Sequence, residues 1–183
     1  PSFVSFPTAY TSVQVNVTGV TWIGYKGDGV ASWALKHLGN SLEMVCLGFG
    51  GSSAEDADNG LADYWASQIR SGYTVLLLST NDISAYTNPD VPALLARLRR
   101  LYDKLLATGT KLVLVGESAR YFDYPALTEL GAGRKAAVLA VNALQRDYAK
   151  ANPGRVLHAD ILGISANQTN LNLAPKARFL KDH

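Results

Sequence analysis

With one cysteine and one methionine in 183 residues, the chain has no means of closing an internal disulfide, so packing and hydrogen bonds must hold it folded. Cys46 lies in the apolar run from Met44 to Leu47, where a small, inert, buried thiol is the expectation. No apolar stretch approaches the about 18 to 20 residues that a membrane-spanning helix needs. Pro1 opens a Ser/Thr-rich segment instead of an apolar leader, which reads as a mature or excised piece, secreted or part of a larger extracellular protein. Neither sign of charge dominates. Seventeen basic and fifteen acidic residues leave +2, too weak a field to imply nucleic acid or an anionic membrane as partner. A small or neutral ligand is expected. Neither G-x-G-x-x-G nor a phosphate-binding P-loop follows any strand, so a nucleotide-binding, flavodoxin-like domain is the weaker reading and no cofactor or metal is expected.

What the chain has is ordinary globular material: 48% hydrophobic, 17% charged, and sixteen glycines gathered mostly at turns. That length suits a single domain over residues 1–183, with residues 1–19 as a lead-in. Val13, Val15 and Val17 alternate with polar residues, the period of an edge strand or lead-in hairpin. Val20 to Ile23 predicts a short strand running into Gly24-Tyr-Lys-Gly-Asp-Gly29, then a helix carrying Trp33, Leu35 and Leu38. Leu42 to Leu47 predicts a second strand, closed by Gly48 to Gly51, and Ala54 to Ile69 a helix whose start the Ser52-Ser53 pair can cap. Val75 to Leu78 is wholly apolar, as a strand buried on both faces of a parallel sheet requires. A helix over Val91 to Ala107, a strand over Lys111 to Val115, a helix over Arg134 to Ala151 and a strand over Arg155 to Ala159 complete the series, with Asn152-Pro-Gly154 as the breaker. Repeated alternation of this kind predicts an α/β protein, a three-layer α/β/α sandwich on a mostly parallel, doubly wound sheet. Ligands of such sheets bind beyond the carboxyl ends of the strands.

The tails after the strands therefore carry the chemistry: Gly24 to Gly29, Gly48 to Ser53, Ser79 to Asp82, Gly116 to Arg120, and the terminal Asp182-His183. Leu47-Gly-Phe-Gly-Gly51-Ser and Leu78-Ser-Thr-Asn81-Asp82 resemble, in order and separation, the second and third blocks of the SGNH (GDSL-type) ester hydrolases. The resemblance covers nearly the whole chain from about Val20 onward. It implies an acyl or acetyl ester hydrolase, a carbohydrate ester among its possible substrates. It also implies that the backbone N–H of Gly51 and the side-chain amide of Asn81 hold the oxyanion of a tetrahedral intermediate, where loss of one donor typically costs about 100- to 1000-fold in rate. Taken singly, Gly51 reads as a tight turn and Asn81 as an Asx-turn. The family's leading glycine of the third block is Ser79 here.

The first block departs from the family. Gly27-Asp28-Gly29 supplies its first two letters, and Gly29 stands where the nucleophilic serine belongs; setting Gly24-Tyr-Lys26 on the motif puts Lys26 there instead. Ser32, Ser52 and Ser118 are the other candidate nucleophiles, each also suited to capping or turn hydrogen bonding. Gly116-Glu-Ser118 resembles Gly-Asp-Ser, which would make the chain a circular permutant, against the order of the other blocks. The family's Asp-x-x-His block would place a base two residues past His183 if Asp182 is its aspartate; His183 itself, oriented by Asp182, is the base candidate within the chain. His37 falls in a predicted helix and His158 at the end of the last strand. A noncatalytic binding module that keeps the pocket, with Tyr25, Trp33, Tyr86 and Tyr121 against a sugar or acyl group, is the competing reading.

Overall fold

The structure is a computed structural model, and it describes residues 11–17, 20–26, 48–69, 72–86, 88–117, 122–123, 128–129 and 131–165. The alternating valines form strand β1 (Thr11–Val17), which pairs antiparallel with β2 (Val20–Lys26) from Thr11 opposite Lys26 to Val17 opposite Val20. β2 pairs antiparallel in turn with β3 (Gly48–Phe49), Gly24 facing Phe49. This revises two expectations. The strand continues through Gly24 to Lys26, because extended backbone paired on both sides leaves no turn before residue 27. It also joins a separate antiparallel sheet, in the order β1-β2-β3, instead of the parallel one. The strand expected at 42–47 and the helix expected around Trp33 lie outside the described residues.

The second sheet is parallel and open, ordered β4 (Tyr73–Leu76), β5 (Lys111–Val115), β8 (Val156–Ala159). Leu76 sits level with Leu114, and Leu114 with His158. Two long helices make the crossovers. α4 (Val91–Ala107) starts where the Asp90 carboxylate accepts from the Ala93 N–H at 3.1 Å and Pro92 fits the first turn. It ends at Thr108-Gly109, with Gly109 left-handed at φ 89°. α5 (Ala132–Ala151) stops at the Asn152-Pro-Gly154 turn. Leu94, Leu98, Leu101 and Leu105 of α4 meet Val138 and Val141 of α5 and the inward residues Leu112, Leu114 and Val156 of the sheet in one buried cluster. Each such side chain contributes about 1.5–3 kcal/mol on burial. The fold class is thus α/β, a mixed helix and strand architecture around a small parallel sheet. A two-stranded ribbon, β6 (Phe122–Asp123) with β7 (Thr128–Glu129), and the short helix α6 (Ile161–Ser165) are additions that the hydrophobic pattern did not announce.

Two further expectations change. The helix expected over Ala54 to Ile69 is broken: α1 (Ala54–Asp56) leads through a π-turn (Ala57–Leu61) into α2 (Ala62–Gln68). The break comes at Asn59-Gly60, with Gly60 at φ 120°, a conformation that glycine reaches without a Cβ penalty. Arg97, Arg100 and Lys104 of α4 pair with Glu55, Asp58 and Asp63 across this segment. Nor is the Val75 to Leu78 run buried on both faces. Val75 is 61% exposed, Leu77 41% and Leu157 57%, because both long helices contribute to the core on the other side of the sheet. One apolar sheet face is therefore uncovered by the described helices.

Candidate functional site

The ends of β3 and β4 are tied together side by side. After β3 the chain reverses through Gly50-Gly51, closed by Ser52 N–H to the Phe49 carbonyl at 3.2 Å. Gly51 takes φ 83°, the left-handed third position of a tight turn that glycine supplies at no steric cost. A Cβ there would meet nothing within 4 Å, so the requirement for glycine is conformational. Gly51 is exposed, and its N–H has no hydrogen-bond partner among the described residues. Ser53 then caps α1 in a reciprocal box with Asp56: the Asp56 N–H donates to Ser53 Oγ at 3.2 Å, and Ser53 N–H to the Asp56 carboxylate at 2.9 Å.

From the first turn of α3 (Thr80–Ser84), the short helix that follows β4, two consecutive side chains reach across to this turn. Asn81 Nδ2 donates to the Ser52 carbonyl at 2.8 Å, and both carboxylate oxygens of Asp82 accept from the Ala54 N–H at 3.0 Å. The Asn81 amide carries two N–H groups. One is committed to Ser52, while the side chain is otherwise exposed and its second N–H has no partner among the described residues. Asp82 is half-buried, and burial holds its carboxyl above the usual carboxylate range, with the Ala54 N–H pulling partly the other way. Gly51 and Asn81 are thus joined through Ser52, with unmatched N–H groups on adjoining segments at the carboxyl ends of their strands.

Behind Asn81 the backbone is strained. Ser79 has φ 112°, the sole non-glycine residue with positive φ among those described, and is 1% exposed. Its hydroxyl donates to Glu117 Oε1 at 2.6 Å. Thr80 Oγ1 lies 3.2 Å from Oε1 and 3.0 Å from Oε2 of the same carboxyl. Ser79 has the look of a nucleophile on a strained strand-to-helix turn, but its burial and its bond to Glu117 keep it from attacking a substrate. Neither Ser79 nor Glu117 was singled out from the sequence. The serine standing for a glycine in the third block was the available signal for positive φ, and Glu117 was visible as a lone acid directly after a buried strand.

Among the candidate nucleophiles, Ser52 is 7% exposed and donates to the Phe49 carbonyl at 2.9 Å. It serves the turn and is not positioned to attack. Gly29, Ser32 and Ser118, with Asp182 and His183 as base candidates, lie outside the described residues, as do His37, Trp33, Tyr121 and Cys46. Lys26 ends β2. His158 is not placed as a base. Its Nε2 is buried with no partner among the described residues, 3.1 Å from where a Cβ on Gly116 would sit, and burial lowers its imidazole below the ordinary value. Tyr86 is 61% exposed, on the loop that Arg134 fixes by donating to the Tyr86 and Ser84 carbonyls at 2.8 and 2.9 Å. Among the described residues no group of three or more histidine, cysteine, aspartate or glutamate side chains gathers to hold a metal. No helix of the described residues is long and apolar enough to cross a membrane. Comparison with protein families, with curated proteins and with solved structures finds no match to this chain.

Proposed function

We propose that this chain is an SGNH-type ester hydrolase domain, inactive as it stands, in which Gly51 and Asn81 form the oxyanion-binding side of the site and Gly29 occupies the position of the attacking serine. The observation that carries the reading is the bond from Asn81 to the Ser52 carbonyl, which fixes an amide donor beside the Gly51 turn. Two fixed N–H donors at neighbouring strand ends are what a developing oxyanion requires. Serine at position 29 would attack an acyl or acetyl ester, a carbohydrate ester among the candidates, and His183, oriented by Asp182, would carry the proton. The three-layer sandwich belongs to the same proposal: the apolar face formed by Val75, Leu77 and Leu157 is what a second helical layer buries.

The test is p-nitrophenyl acetate hydrolysis by the Gly29→Ser chain and by Gly29→Ser with Asn81→Ala. Turnover that appears with serine and falls about 100-fold or more without the Asn81 amide supports the reading. Equal turnover in the two variants removes Asn81 from the site. Glycine at position 29 also favours a second reading, a binding module that retains the pocket without catalysis. Saturable binding of an acetylated sugar by the unmodified chain, with no turnover after Gly29→Ser, would select it.

A further inference from the structure

Glu117 is the one carboxyl among the described residues that is almost wholly buried, 2% exposed at the end of β5, and the proposed reaction gives it nothing to do. Its carboxyl accepts from the hydroxyls of two consecutive residues, Ser79 at 2.6 Å and Thr80 at 3.0 and 3.2 Å. These two residues lead directly into Asn81. Presenting both hydroxyls to one carboxyl goes with the backbone reversal at Ser79, whose φ of 112° a serine does not adopt unaided. The opposite side of the unit is also fixed: Asn142 Nδ2 donates to the Val138 carbonyl at 2.8 Å and approaches the Glu117 carbonyl at 3.4 Å. Glu117 is therefore anchored to α5 through its backbone and grips the approach to Asn81 through its side chain.

We propose that Glu117 is a positioning residue for Asn81: by holding Ser79 left-handed and Thr80 in place, it aims the Asn81 amide at the Ser52 carbonyl and into the site. The catalytic consequence rests on the reading of Asn81 as an oxyanion donor; the positional claim does not. A carboxyl that merely fills the interior would affect folding and leave the amide where it is. A positioning group acts on a donor that matters chiefly in the transition state, so its loss lowers kcat and spares KM.

Two measurements on the full chain separate these cases. The first follows the side-chain NH2 resonances of Asn81 by NMR in the unmodified chain, in Glu117→Gln and in Glu117→Ala. The bond to Ser52 separates the two proton shifts in the parent. In Glu117→Ala they are expected to converge towards free-amide values while the amides of α4 stay in place. Glu117→Gln, which keeps an acceptor for Ser79, is expected to remain close to the parent; if the alanine variant does not fold, Thr80→Val, which takes one of the two hydroxyls from the carboxyl, replaces it with a smaller displacement expected. The second measures kcat and KM for p-nitrophenyl acetate with Gly29→Ser as parent. Glu117→Ala is expected to lower kcat about 10- to 100-fold, less than outright removal of a donor, with KM within about 2-fold and substantial rescue by glutamine. Asn81 resonances that do not move in any folded variant overturn the proposal. Moved resonances in a chain that never turns over ester leave Glu117 as the positioning group and fault the hydrolase reading instead.

Discussion

Replacing Ser79 by alanine and by glycine separates two contributions that meet at one residue. Ser79 is left-handed and buried, and its hydroxyl reaches Glu117 Oε1 at 2.6 Å. Alanine deletes the hydroxyl but keeps the steric cost of positive φ, so Ser79→Ala loses a hydrogen bond to a buried acid, a loss of about 1.5–3 kcal/mol. Glycine deletes the same bond but recovers about 1–2 kcal/mol of left-handed strain. Against this stands about 0.4–1 kcal/mol for the larger entropy of glycine in the unfolded chain. Ser79→Gly should therefore lie about 1 kcal/mol above Ser79→Ala, and both below the parent; for a chain of this length that difference is about 2–4 °C in Tm. Urea denaturation with unchanged m-values is the assay. An alanine variant as stable as the parent would mean that the hydroxyl contributes nothing. A glycine variant no more stable than alanine would mean that φ at Ser79 is not strained.

Other outcomes follow from neighbouring residues. Gly116→Ala should destabilise by about 1–3 kcal/mol or more, since its Cβ would lie 2.3 Å from Asn142 Oδ1 and 3.2 Å from the Ala159 carbonyl; thermal unfolding reads this directly. Burial lowers the folded-state His158 imidazole below its ordinary value of about 6.5, so its contribution to stability is present above about pH 6.5 and is lost as pH falls through the lowered value. His158→Gln should remove that slope from a stability-against-pH curve, and an unchanged slope would exclude His158 as its source. Asp82 has the opposite sign: its raised folded-state value gives a contribution fully present below pH 3.8 and lost as pH rises through the raised value. Asp82→Asn should flatten the curve in that window. Leu98→Ala, at a position with no exposure, should cost about 2–5 kcal/mol in urea melts.

The two long helices and the strands β5 and β8 were legible because their patterns are local, whereas β4 (Tyr73–Leu76) begins two residues before the expected Val75 to Leu78 run. α4 runs from Val91 to Ala107, as its leucine stripe implies, and the Asn152-Pro-Gly154 turn lies where the breaker residues put it. The misreadings came where partners decide. An apolar run such as Val75 to Leu78 signals a strand but not which faces are covered, and the pairing of β2 with β1 and β3 depends on residues far along the chain. Hydrophobic spacing over Ala54 to Ile69 hid the break at Gly60, which one glycine with φ of 120° is enough to make. At the candidate site, the block spacing pointed to Gly51 and Asn81, and the structure joins them through Ser52. The turn role of Ser52 was among the readings its sequence position offers, since its bonds to Phe49 are local, whereas the role of Glu117 is set by tertiary hydrogen bonds that leave no periodic trace.

The central claim is that the Gly51 N–H and the Asn81 side-chain amide act as one oxyanion-binding pair, and it can be tested without a nucleophile. Titrating the unmodified chain with a methylphosphonate monoester, a stable mimic of the tetrahedral intermediate, should move the Gly51 backbone and Asn81 side-chain amide resonances together along one saturation curve. Asn81→Ala should abolish the response at Gly51. Saturation that shifts other residues while leaving Gly51 and Asn81 unmoved would contradict the account.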